Sequence, residues 1–142
     1  MSEQTKASVE RLYEAINGGS VDLFDEHLAE DMVEHEELPG GIPDREGVKQ
    51  FFEMVMGAFD GFEMDVEAIL ADGDMASARL TMRGKHTGEF MGIPATGKTI
   101  AVPVADFFRI DGDGKVAEHW GVMDNMAMMQ QLGVVPEEPP AG

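Results

Sequence analysis

The chain has 142 residues, enough for one domain with a core and a small-molecule pocket, and its 28 acidic against 10 basic residues give a formal charge of −18. That balance argues against nucleic acid and anionic membranes as partners, since both need a positive patch, and no window approaches the ~20 apolar residues of a bilayer span. The absence of cysteine excludes disulfides, thiolate nucleophiles and iron–sulfur ligation.

The acidic residues are spread through well-patterned segments, so they read as a solvated surface rather than a disordered tail. Two habitats fit: a protein working in high salt, where screening relieves self-repulsion, or an ordinary acidic cytoplasmic protein. The start, MSEQTKASVERLYEAI, lacks the basic and then apolar segments of a secretory signal, so a cytoplasmic location is expected.

In chain order, residues 6–17 carry Val9, Leu12, Tyr13 and Ile16 at helical spacing, and Asn17-Gly18-Gly19 stops the helix. Ser20 is positioned to cap a second short helix through about Leu28. Residues 31–36 read as a short extended piece, ELPGGIPD as a loop, and a third helix runs from near Asp44 to about Phe59, burying Val48, Phe51, Phe52, Val55 and Met56. After Gly61 the period changes to two, and four strands are expected, roughly over 62–71, 74–86, 98–111 and 114–124. Asp72-Gly73 and Asp111-Gly112-Asp113-Gly114 supply hairpin turns. The second resembles the start of an EF-hand loop but lacks its glycine at position six and glutamate at twelve, so it reads as a turn. A last short helix, DNMAMMQQL, ends at Gly133. One domain over residues 1–133 and a loose Pro-rich tail over 134–142 follow.

This order predicts an α+β cone: three N-terminal helices packed on a curved antiparallel sheet around an interior pocket. The stretch GIPATGKT, Gly92 to Thr99, matches the phosphate-loop pattern G-x-x-x-x-G-K-[ST]. A phosphate loop opens a helix, whereas TIAVPVADFFRI places Ile100, Val102, Val104, Phe108 and Ile110 in one parity around Pro103. It therefore reads as a loop before a strand, with no nucleotide.

Two polar residues fall in the apolar phase of the strands. Asp106 shares its parity with Val104 and Phe108, and His86 shares its parity with Leu80 and Met82. A carboxylate there is costly unless paired, hydrogen-bonded or protonated, as in sites of proton transfer, although a bond to backbone or a helix end would also satisfy it. In VAEHWGVMD, one face carries Glu118, Trp120, Val122 and Asp124 and the other His119, Gly121 and Met123; parity leaves open which is interior, and a bulge would exchange them. His35 is expected at a rim. Four histidines without HExxH-type spacing predict no metal site.

The run HTGEFMGIPATGKTIAVPVADFFRIDGDGKVAEHWGVMDNMAMMQQLG, preceded by VERLYEAINGGSVDLFDEHLAEDMVEHE, resembles the SnoaL-like polyketide cyclases, or ester cyclases, of the nuclear-transport-factor-2-like (NTF2-like) superfamily. The resemblance covers nearly the whole chain. It implies a cone-shaped fold assembled as homodimers or homotetramers through the sheet, and ring closure of an aromatic polyketide ester by intramolecular aldol condensation without metal or cofactor. On that reading Asp106 is the base or the partner orienting a histidine, and His86, His119 and His35 are donors. A small apolar molecule in the interior pocket would meet Trp120, Phe90, Met82 and Phe52, with Asp124 as a further ligand-binding carboxylate. One departure stands out: many members carry an aspartate directly after Glu-His-Trp, where this chain has Gly121. The expected function is cofactor-independent acid/base chemistry on a small apolar carbonyl compound, a polyketide-type aldol cyclisation or a related isomerisation, and a non-catalytic binding protein on the same cone is the alternative.

Overall fold

The computed structural model describes residues 2–19, 21–37 and 41–135. Ser20, the middle of the ELPGGIPD loop and the tail beyond residue 135 lie outside these. Helix α1 (Ser2–Asn17) buries Val9, Leu12, Tyr13 and Ile16, so its expected apolar stripe is its core face. A 3₁₀ turn (Val21–Leu23) leads into a one-turn helix α2 (Phe24–His27). Strand β1 (Leu28–Glu34) follows, then α3 (Arg45–Ala58). Asp44 caps α3, its carboxylate accepting the Gly47 N–H at 3.1 Å, which satisfies a donor left free in the first turn. Of the residues expected to be buried by this helix, Val48 and Val55 are in the core, while Phe51, Phe52 and Met56 are half-buried against it.

The long strands are β2 (Phe59–Asp72), β3 (Met75–His86), β4 (Thr99–Ile110) and β5 (Val116–Met123), and the chain ends its described part with α4 (Asn125–Gln131). They form one sheet in the order β1-β5-β4-β3-β2. The four long strands are antiparallel, as the turn residues require. The inserted strand β1 joins the edge of the sheet parallel to β5, which makes the sheet mixed rather than wholly antiparallel. No local signal could set that pairing, because β1 and β5 are separated by the rest of the fold.

Burial alternates strictly along β3 and β4, with even-numbered residues inside. β2 is less regular; its register slips twice against β3, between Asp60 and Glu63 and between Val66 and Ala68, and such slips bend a strand. α1 packs on β2, and α3 lies over β1 and β2. The helices therefore cover the inner face of the sheet, and the space between them is the cavity.

Loop 87–98 carries the phosphate-loop pattern. Phe90 and Ile93 exchange two backbone hydrogen bonds around Met91 and Gly92, which hold φ values of +49° and +81°. The chain then runs straight into β4 with no helix after Lys98. The N–H groups of Thr96, Gly97 and Lys98 donate to His86 and to the Thr96 hydroxyl instead. The loop is a strand connection, as the apolar parity of its continuation predicts.

Candidate active site

A cavity of about 60 Å³ opens between α1, α3 and the inner face of the sheet. Its walls are largely apolar, with Leu12, Phe52, Met82 and Phe108 among them. Polar groups gather where β1, β4 and β5 meet: Glu34, Glu36, Asp106 and His119, with Tyr13 reaching across from α1.

Asp106 lies opposite Gly121 in the β4–β5 pairing and is only 6% exposed. The Tyr13 hydroxyl donates to its Oδ2 at 2.5 Å, and His119 Nε2 donates to Oδ1 at 2.9 Å. The other ring nitrogen of His119, Nδ1, donates to Glu34 Oε2 at 2.6 Å, and Glu34 is itself only 5% exposed. With a carboxylate facing each nitrogen, both must carry hydrogen, so the ring is an imidazolium. Its pKa is pushed up to about 10: burial alone would lower it, but the hydrogen bonds and charges of Asp106 and Glu34 outweigh that effect. Burial and the adjacent Asp106 charge raise the Tyr13 pKa above the usual phenol range, which keeps its proton in place to donate.

The β5 register explains why His119 faces inward. Ile110 pairs with Val116 but Arg109 pairs with Glu118, so Ala117 is an extra residue on β5. The bulge puts Val116 and His119, three apart, on the same inner surface, and both line the cavity. The interior face of this strand is thus the one with His119, Gly121 and Met123. Glu118 and Trp120 point outward. There His35 stacks on Trp120 with ring centroids 4.7 Å apart and bonds Glu118 at 2.8 Å, half-exposed.

The remaining residues singled out from sequence divide clearly. Met82 and Phe52 line the cavity with Asp106 and His119. His86 is fully buried elsewhere, stacked on Phe59 at 5.2 Å, with Nδ1 accepting the Thr96 N–H at 3.2 Å. Phe90 packs edge-on against Phe59, in the same cluster. His86 also fixes the GIPATGKT loop through backbone bonds to Gly97 and Lys98. Asp124 caps α4 by accepting the Ala127 N–H at 2.9 Å and is exposed. None of His86, Phe90, His35, Trp120 or Asp124 borders the cavity.

Three participants were not legible as site residues. Tyr13 reads as one more apolar position on the first helix. Glu34 shares parity with Met32 on the short strand, which was a usable signal once the strand's neighbour was known. Glu36 follows two residues later, where the chain bends out of β1. Its carboxyl is raised to about 7, first by burial and then by the charges of Asp106 and Glu34, against the opposing effect of His119. Gly121 now has a structural reason: a Cβ there would lie 2.1 Å from Glu36 Oε1 and 2.9 Å from His119 Cε1. The glycine leaves room for a carboxyl from the segment just after β1. Among the described residues no His, Cys, Asp or Glu grouping has the arrangement of a metal site, and no helix is long and apolar enough to cross a membrane.

Similar proteins bear on this arrangement. The sequence pattern of the SnoaL-like polyketide cyclases matches residues 7–132. DauD, an aklanonic acid methyl ester cyclase from Streptomyces sp. (strain C5), is 32% identical over 133 residues, covering 88% of this chain and 79% of its own. A nogalonic acid methyl ester cyclase from Streptomyces nogalater is 29% identical over 123 residues, 84% of this chain and 90% of its own. The crystal structure of IdmH from Streptomyces antibioticus superimposes with a TM-score of 0.79 at 34% identity, over 92% of this chain and 99% of that one. The site residues Tyr13, Glu34, Glu36, Asp106 and His119 all lie within the matched residues, and the protein belongs to the SnoaL-like polyketide cyclase family.

Proposed function

We propose that the protein closes a ring of an aromatic polyketide ester by intramolecular aldol condensation. The observation that carries this reading is an apolar cavity ending on a buried carboxylate–imidazolium–carboxylate array beside a further carboxyl group. An aldol closure removes a proton next to one carbonyl and delivers a proton to the oxygen of another, so it needs a proton carrier and a dry, charged surround rather than a redox group. The cavity walls are largely apolar, and two relatives are cyclases of aklanonic and nogalonic acid methyl esters. Asp106 acts as the partner that orients His119, because both its oxygens already accept hydrogen bonds. Asp106, His119 and Glu34 together carry two negative charges and one positive. The site is therefore better at accepting a proton than at collecting a second anion. During reaction the negative charge passes from carboxylate to enolate and back, and the total in the cavity does not grow.

A non-catalytic binder remains the second reading, favoured by Gly121 and by the engagement of both His119 nitrogens within the protein. Incubation with aklanonic or nogalonic acid methyl ester distinguishes them. The cyclase reading expects a product of unchanged mass and altered chromatographic mobility, lost in Asp106→Asn. Tight binding without conversion would support the binder.

A further inference from the structure

Among the described residues, the hydrogen bonds of the array leave one polar side chain at the cavity without a fixed partner. Tyr13 donates to Asp106, and His119 donates to Asp106 and Glu34. Glu34 Oε2 also accepts the backbone N–H of Glu36 at 3.2 Å. Among the described residues, no donor holds the Glu36 carboxyl, although it lines the cavity. It is firmly placed all the same. Its backbone is tied to Glu34, the adjacent His35 N–H donates to the His119 carbonyl, and its Oε1 fills the notch left by Gly121. We propose that Glu36 is the catalytic residue that takes the proton from the carbon next to a substrate carbonyl and returns it to the new alkoxide.

The identification of a carbonyl substrate rests on the cyclase reading above. The step balances without any further reagent. The Glu36 carboxylate accepts the α-proton as the C–H electron pair becomes an enolate. The enolate carbon bonds to the electrophilic carbonyl carbon, whose π pair moves to oxygen. That alkoxide takes the proton from the Glu36 carboxylic acid, giving a hydroxyl group and the starting carboxylate. Product and substrate are isomers.

The surroundings suit this exchange. Glu36 faces Asp106 from β4, His119 from β5 and Glu34 from β1, with Tyr13 of α1 on the far side of Asp106. Burial, with the charges of Asp106 and Glu34 added and that of His119 opposing, raises Glu36 to about 7. A carboxyl so placed is populated in both protonation states near neutrality, as an acid–base residue requires. Asp106 and Glu34 are each hydrogen-bonded to His119. They are positioning residues: they hold the imidazolium and set the field at Glu36.

The test uses Glu36→Gln, nearly the same shape, with two readouts. On a polyketide methyl ester, turnover should fall by about 100-fold or more while the dissociation constant changes less than about threefold. Independently, wild-type protein should exchange the α-protons of 1-tetralone for deuterium in heavy water. That rate should rise on a limb with an apparent pKa near 7, and the limb should vanish in the variant. A thermal melt no lower than wild type at about pH 8 shows that the variant is folded. Glu36→Ala combined with Gly121→Asp, which brings a carboxylate back through the vacated notch, should recover part of the exchange. Exchange without ring closure would retire the cyclase reading and leave Glu36 as the proton carrier. No exchange by wild type, or equal exchange by Glu36→Gln, would overturn Glu36 itself.

Discussion

His86 and His119 both sit inside the fold, yet they do unlike work. His86 is the more deeply buried, but its neighbours are Phe59, the Thr96 N–H and its own loop. With one nitrogen accepting a backbone N–H and Nε2 buried without a partner among the described residues, it serves as a stiff anchor for the GIPATGKT connection. His119 retains some exposure but has a carboxylate on each nitrogen and a cavity beside it. Burial alone therefore does not mark a site. What distinguishes the second histidine is fixed charge on both sides of the ring, which converts a polar core residue into a permanent cation.

That contrast can be broken most severely by removing the cation. His119→Leu leaves Glu34 and Asp106 buried without their counter-charge, and should cost about 3–5 kcal/mol in urea unfolding. A loss below about 1 kcal/mol would mean that the carboxylates can reach solvent or share a proton. Tyr13→Phe sharpens the picture by removing a single donor to the Asp106 carboxylate; about 1.5–3 kcal/mol is expected, since that bond is charge-assisted. His86→Leu should cost about 1–2 kcal/mol through the lost Thr96 contact, with activity per folded molecule unchanged. If conversion disappeared while the fold survived, the anchor reading of His86 would fail. Smallest is Lys98→Ala, expected within about 0.5 kcal/mol of wild type with no effect on catalysis. ATP binding that disappears in this variant would restore the phosphate-loop interpretation.

Legibility followed the same division. The inner faces of β3 and β4 could be read from parity alone, because period-two alternation survives along both strands; this located Asp106 and Met82. On β5 the same logic stopped at two equal faces, and a single bulged residue, Ala117, decides between them. The carboxylates of β1 and the segment just after it were obscured for a different reason. Glu34 and Glu36 belong to the run VEHEE in a chain with 28 acidic residues, where any one of them reads as surface. Only the parallel pairing of β1 with β5 sets Glu34 beside His119, and that contact spans 85 positions in the chain. Gly121 showed only that a side chain was missing from a familiar pattern. The reason, a carboxyl from the segment just after β1 in the same space, is a property of the assembled sheet.

The central claim is that His119 is held as an imidazolium between Glu34 and Asp106, and ¹⁵N NMR of its ring tests this directly. The folded pKa lies above the ordinary value of 6.5, at about 10. The resulting stability is therefore fully present below about pH 6.5 and is lost as pH rises towards 10. At about pH 8 the account predicts that both ring nitrogens of His119 carry protons, with shifts typical of the cation, and that the cationic signal is lost only as pH approaches 10. A neutral ring at pH 8, with one protonated and one bare nitrogen, would contradict it.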